Sequence, residues 1–279
     1  FWILSLNSWM QTPTGFEMRD GVAFPTDWLA IIFNPSFPYR LGHMLLASAL
    51  TASFLIAGIS AYRLYRGDSK RAPKLTLKIA LVAAMVLTPT QAFVGDLHGL
   101  NTLKHQPQKI AAMEGVWETQ QGAPLLLFAV PDEDSRTNHF EIGIPKLASL
   151  ILTHELDGTI VGLNEFEGEH PPVKPVFYSF RIMVGLGLLM LATAWWCGVT
   201  VLRNKSLSGL QLKLLIAMTF SGWVATLAGW YVTEIGRQPY LVSGVLTVEQ
   251  AATDIAPSNV AISLTLYLLV YTGLLAAYL

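Results

Sequence analysis

Two side chains inside apolar runs carry the first chemical signal. His43 lies in the run Tyr39–Leu64 and Met183 in the run Val176–Leu202, each near its start. Polar atoms are costly in a lipid-spanning helix. At ~1.5 Å rise per residue both residues fall within the opening turns of their helices. An imidazole and a thioether at matched depth can ligate one haem iron from its two faces. Ala47 and Gly187, one turn further on, are small and leave room for a flat macrocycle. Taken singly, His43 also fits an interhelical hydrogen bond, and Met183 fits ordinary packing. The pairing favours ligation.

Other candidates lie nearby in sequence. Arg181, two residues before Met183, either snorkels to the interface or forks onto a haem propionate. Glu234 and Arg237 close another apolar run. They read as a local pair at spacing three, or as a carboxylate available to a metal or a proton near the membrane face. Trp230, one turn before Glu234, can cover a macrocycle or sit at the interface as an aromatic anchor. Lys109 and Glu114 lie in a stretch, Lys109–Trp117, that reads as a short amphipathic helix with a solvated charged face. His98, His105, His139, His154 and His170 match no zinc spacing. No phosphate-binding loop, serine-hydrolase elbow or HExxH motif occurs.

The elements that position these residues follow from composition. Of 279 residues, 52% are apolar and 13% charged, about half the usual charged share of ~25%. The formal charge of −1, without a basic run, gives no reason to expect nucleic acid. The single Cys197 excludes an internal disulfide and a cysteine-based metal cluster. Five runs, Tyr39–Leu64, Leu75–Phe93, Val176–Leu202, Leu214–Ile235 and Ser258–Leu279, approach the ~20 residues that cross a bilayer. Lipid leaves no partner for free backbone amides, so these runs are helices. Pro89 is expected to kink or end the second. The expected architecture is an all-α polytopic transmembrane helix bundle of five full spans plus the tail of another, with a long external loop. It divides into spans over 1–97, the loop over 98–175 and spans over 176–279. The short apolar opening Phe1–Met10 and the apolar close at Leu279 suggest a piece of a longer polypeptide.

Basic residues set the expected orientation. Arg63, Arg66, Lys70, Arg71 and Lys74 follow the first run, and Arg203, Lys205 and Lys213 follow the third. Both connections are assigned to the cytoplasm. The long loop, with its solvated Asp132-Glu133-Asp134 turn, then faces outward, as do His43, Met183 and Glu234.

The segments Leu6–Pro13, Gly95-Asp96, Lys109–Gln120 with its Trp-Glu-Thr-Gln run, Phe180-Arg181-Ile182-Met183 and Gly236-Arg237-Gln238-Pro239 resemble subunit I of the cytochrome bd-type quinol oxidases. The likeness runs in order through nearly the whole chain. It implies that His43 and Met183 are the axial ligands of a low-spin haem b, with Arg181 close by. It implies that Glu234 is a carboxylate at a high-spin haem b, with Trp230 and Arg237 as neighbours. It gives Lys109 and Glu114 a role in quinol oxidation in the external Q-loop, and puts the Asp96 carboxylate at that loop's base. The implied reaction oxidises ubiquinol or menaquinol outside and reduces dioxygen to water, contributing to the proton gradient. The implied partners are subunit II, a small accessory subunit and the bilayer of a bacterial cytoplasmic (inner) membrane. The loop resembles the short, cyanide-insensitive branch, in which a haem d or a third b-type haem completes the set. The four opening helices of that family are expected to be represented only by the tail of the fourth. The competing reading is a transporter or assembly module with an external binding loop. The absence of a repeat and the clustering of polar residues near one surface weigh against it.

Overall fold

The computed structural model describes residues 1–166 and 168–278. A short helix α1 (Trp2–Gln11) opens the chain, followed by a hairpin of β1 (Phe16–Arg19) and β2 (Val22–Pro25) and a one-turn helix α2 (Trp28–Ile32). Two long helices, α3 (Phe37–Tyr65) and α4 (Arg71–His105), then run antiparallel, joined by a basic turn in which Arg63 pairs with Asp68 at 2.7 Å. The loop region holds α5 (Pro107–Glu114), β3 (Gln120–Gln121), β4 (Leu125–Asp132), β5 (Thr137–Ile144), α6 (Leu147–Thr153) and β6 (Thr159–Ile160). The chain returns through α7 (Val173–Leu202), α8 (Gly209–Ala217) and α9 (Ser221–Ile235). It ends with the small pair β7 (Tyr240–Val242) and β8 (Leu246–Thr247), α10 (Val248–Ala251) and α11 (Pro257–Tyr278). Five helical stretches are long and apolar enough to cross a membrane: Trp28–Tyr65, Arg71–His105, Val173–Leu202, Gly209–Ile235 and Pro257–Tyr278.

The expected bundle is present, with four small antiparallel strand pairs added outside the spans. The main differences from expectation lie in the second and fourth spans. The second span continues to His105, so residues 98–105 extend α4 instead of starting the loop. Pro89 lies inside that helix without ending it. A proline frees the carbonyl four residues earlier, here that of Met85, and the Trp195 indole Nε1 donates to it at 3.1 Å. The backbone deficit is therefore met from α7, as lipid requires. The fourth span starts at Gly209, not Leu214, where Ser208 and Gln211 form a reciprocal capping box. It passes through a 3-10 turn at Met218–Phe220 before α9 begins. The fifth run is helical to Tyr278, and its expected last residue, Leu279, lies outside the described residues.

The helices approach closely where glycine removes a side chain. A Cβ on Gly222 of α9 would stand 2.6 Å from the Thr51 backbone of α3. One on Gly58 of α3 would stand 2.0 Å from Thr219 Oγ1. Small residues at such crossings let backbones meet in an apolar medium. Alanines and leucines of α3, α4, α7 and α8 fill the bundle core around Ala61, Leu81, Cys197 and Leu215. A second core, around Ile110, Trp117, Leu163 and Val176, ties the loop region to α7.

Candidate functional site

The sequence-predicted residues gather at the end of the bundle that carries the loop. Gln91, Gly95 and His98 share one face of α4 at helical spacing and turn toward His43 on α3. Gln91 Nε2 lies 3.1 Å from His43 Nε2. The His98 ring stands 5.6 Å from the His43 ring, at 60°. A Cβ on Gly95 would come 3.2 Å from His43 Cε1, so glycine at that position gives the imidazole its room. His43 Nδ1 and Gln91 Oε1 are buried without a hydrogen-bond partner among the described residues. Met183 on α7 points at α9, where a Cβ on Gly229 would lie 2.8 Å from its Sδ.

Arg181 does not snorkel. Its side chain is 15% exposed and pairs with Glu114 Oε2 at 3.1 Å. Its Nε donates to the Leu126 carbonyl at 2.9 Å, and Nη1 donates to the Met113 carbonyl. Its guanidinium also lies over the Phe177 ring, 3.6 Å from the centroid. One side chain of the methionine-bearing helix thus fastens both α5 and β4. Glu114 is buried, contrary to the solvated face expected for it. Burial pushes its carboxyl above the usual carboxylate range, and Arg181 opposes that shift in part.

Lys109, at the other end of α5, is buried too. Its Nζ donates to Gln11 Oε1 at 2.6 Å, Gln106 Oε1 at 2.8 Å and the Thr233 carbonyl at 3.4 Å. Burial holds this amine well below its ordinary value; Arg40 and Arg237 lower it further, and Glu234 opposes them. Glu234 and Arg237 pair at 2.7 Å, as the local reading of their spacing expects. Asn7 Nδ2 adds a bond to the other Glu234 oxygen at 2.7 Å, and Arg40 donates to Asn7 Oδ1. Burial lowers the Arg237 guanidinium below its ordinary value, and Glu234 counters this. Around one carboxylate stand Arg40, Arg237 and Lys109. Arg40 Nε and Arg237 Nε and Nη1 are buried without partners among the described residues.

A family model of the cytochrome bd terminal oxidase subunit I matches residues 1–279. The chain belongs to that family. It is 33% identical to the cytochrome bd ubiquinol oxidase subunit 1 of Bacillus subtilis (strain 168), over 91% of this chain and 57% of that relative. It is 28% identical to the cytochrome bd-II ubiquinol oxidase subunit 1 of Escherichia coli (strain K12), over 99% of this chain and 67% of that one. The solved structure of bd oxidase from Geobacillus thermodenitrificans superposes with a TM-score of 0.90 at 31% identity, over 99% of this chain and 64% of that one. The chain thus spans between 57% and 67% of the length of these relatives.

As a member of the bd subunit I family, the chain has a donor set that fits haem. A haem asks for axial N or S donors and for cations near its propionates. His43 offers an imidazole whose Nδ1 is buried with no partner among the described residues. Arg40 and Arg237 offer buried guanidinium nitrogens that no group among the described residues uses. Each Glu234 oxygen has one protein partner, which leaves lone pairs for a metal. Among the described residues no group of three or more histidine, cysteine or acidic side chains forms a protein-only metal site.

The structure also separates some of the sequence candidates. Lys109 joins the Glu234–Arg237 cluster, whereas Glu114 joins Arg181 and α7. Asp96 faces away from both and lies 3.8 Å from His154 Nε2 at the end of α6. Trp230 is 40% exposed on α9. Sequence reasoning missed Asn7, Gln11, Arg40, Gln91 and Gln106 as parts of the site. Arg40 had a usable signal, an arginine one turn before His43 at the mouth of an apolar run. His98 was read as a loop residue, although Gln91, Gly95 and His98 carry a helical period that continues the span.

Proposed function

We propose that this chain is the haem-bearing part of a membrane-bound quinol:oxygen oxidoreductase. The observation that carries the reading is the reach of α5, whose Lys109 end meets the Glu234–Arg237–Arg40 cluster and whose Glu114 end meets Arg181, two residues from Met183. One short helix therefore links the residue that would accept a quinol proton to the surroundings of both proposed haem sites. His43 and Met183 would hold a low-spin haem b. Glu234 would hold a high-spin haem b, flanked by Trp230 and Arg237, with Arg40 and Arg237 placing cations near propionates. A haem d or a third b-type haem would complete the set, with residues from outside this chain. When bound, these groups relay electrons and reduce dioxygen to water.

The protein side of the chemistry is acid–base and positional. Lys109 can orient a quinol oxygen by exchanging its longest bond, to the Thr233 carbonyl at 3.4 Å, for one to the substrate. Glu114, its carboxyl raised by burial, is a competent proton acceptor nearer neutral pH than a free carboxylate. Asp96, half-exposed beside His154 at the loop base, is a separate carboxylate on the outer side. The loop end is the periplasmic face of a bacterial cytoplasmic membrane, because the basic connections lie at the opposite end. Quinol protons released there add to the transmembrane gradient. Ubiquinol or menaquinol is the electron donor, and subunit II with a small accessory subunit are the partners. Oxygen consumption by the purified complex with a short-chain quinol tests this reading. Lys109→Ala is expected to slow turnover at least tenfold while the reduced haem spectrum keeps its bands; an unchanged rate would contradict the assignment.

A further inference from the structure

The loop region carries an apolar surface that the redox reading does not use. In the β4–β5 hairpin, Phe128 is 48% exposed, Phe140 81% and Ile142 62%. Phe128 and Ile142 are direct cross-strand partners. The opposite face is filled, with Leu126 and Ala129 packed on Phe177 of α7. Phe140 stands in the bulge between the Phe128/Ile142 and Val130/His139 pairs, with φ at +55°. A bulge re-aims a side chain, and a bulky residue rarely takes positive φ. The backbone is bent so that an aromatic ring points outward, which in water would gain nothing.

The height of the hairpin on α7 says what meets this face. The Tyr178 hydroxyl donates to the Ala129 carbonyl at 3.0 Å, and Arg181 Nε donates to the Leu126 carbonyl at 2.9 Å. Strand β4 is thus fixed beside residues 178–181 of a spanning helix. Tyr178 lies roughly 37 Å along that helix from Arg203, which closes it at the basic end, a distance that exceeds a hydrocarbon core of ~30 Å and puts the hairpin at the opposite border. Tyrosine and tryptophan gather at the two borders of a bilayer. Just below the hairpin, Ile182 and Leu188 of α7 are exposed as well, so its apolar face continues the lipid-facing surface of the bundle.

We propose that the β4–β5 hairpin is an interfacial membrane anchor, its Phe128–Phe140–Ile142 face seated among lipid at the headgroup–acyl boundary. The anchor holds the loop against the membrane at the level from which a lipid-soluble substrate arrives. It rests on α7 being a membrane span and not on the redox chemistry, so either reading can fail while the other stands.

The test is the accessibility of nitroxide labels in the assembled complex in lipid bilayers. Labels are placed by Phe140→Cys and Ile142→Cys in a Cys197→Ala background that retains its haem spectrum. Leu188→Cys serves as the lipid reference and Asp134→Cys, at the hairpin tip, as the aqueous one. Relaxation dominated by oxygen, as at residue 188, is expected. Relaxation dominated by a water-soluble nickel chelate, as at residue 134, would overturn the proposal. So would shielding from both reagents, which would mean that protein covers the face. Benzoylphenylalanine in place of Phe140 needs no cysteine background. Adducts with phospholipid support the anchor; adducts with protein, or no adduct, refute it.

Discussion

Arg181 holds the loop to the span that carries Met183, and its removal tests that clasp. Arg181→Met leaves Glu114 buried and unpaired, a change that costs about 3–5 kcal/mol. Arg181→Met with Glu114→Leu is expected to recover most of the loss, and thermal unfolding of the four members of this cycle measures it. The pH dependence has a defined sign. A carboxyl raised by burial binds its proton in the folded state above the ordinary ~4.3, so its contribution to stability falls as pH rises through that window. Without Arg181 the window extends upward. The single variant should lose stability toward neutral pH more steeply than wild type, and Glu114→Gln added to it should flatten the slope. Lys109 has the opposite sign. Its lowered value means that the folded state binds fewer protons, so stability rises with pH until the ordinary ~10.4 is reached. Lys109→Met should abolish that rise, read as the change in melting temperature between pH 7 and pH 10.

At the scale of elements, α4 is the instructive helix. Its proline is tolerated because Trp195 serves the Met85 carbonyl. Trp195→Phe should cost roughly 1–3 kcal/mol, the penalty of an acceptor left unpaired in an apolar surrounding. Pro89→Ala restores an amide donor within the helix and should rescue that variant. Failure of the rescue, measured by thermal stability, would remove this account. Gly222→Val in α9 drives a side chain into the Thr51 backbone, which no rotamer relieves, and should abolish accumulation of folded protein. The five spans were legible because apolar length decides them, and the Glu234–Arg237 pair was legible because charges at spacing three stand out against that background. The end of α4 was not, since residues 98–105 are polar and period alone had to outweigh composition. The burial of Lys109 and Glu114 was not legible either. It depends on α1 supplying Gln11 and on α7 supplying Arg181, contacts of long sequence separation that no local pattern encodes. The strand pairs of the loop are short and bulged, and their alternation was too weak to read.

At the scale of the molecule, the bundle sorts its charge. One end carries the basic turn between α3 and α4, and the other carries the loop, the facing His43 and His98 and the cation-rich cluster around Glu234. In the proposed function, that polarity would let a quinol surrender protons on one side. The proposed function turns on one pair of ligands, His43 on α3 and Met183 on α7. The reduced-minus-oxidised difference spectrum of the purified complex reads this directly. His43→Ala and Met183→Leu are each expected to remove the low-spin b-type bands while the remaining haem bands persist. Low-spin bands unchanged in both variants would contradict the account.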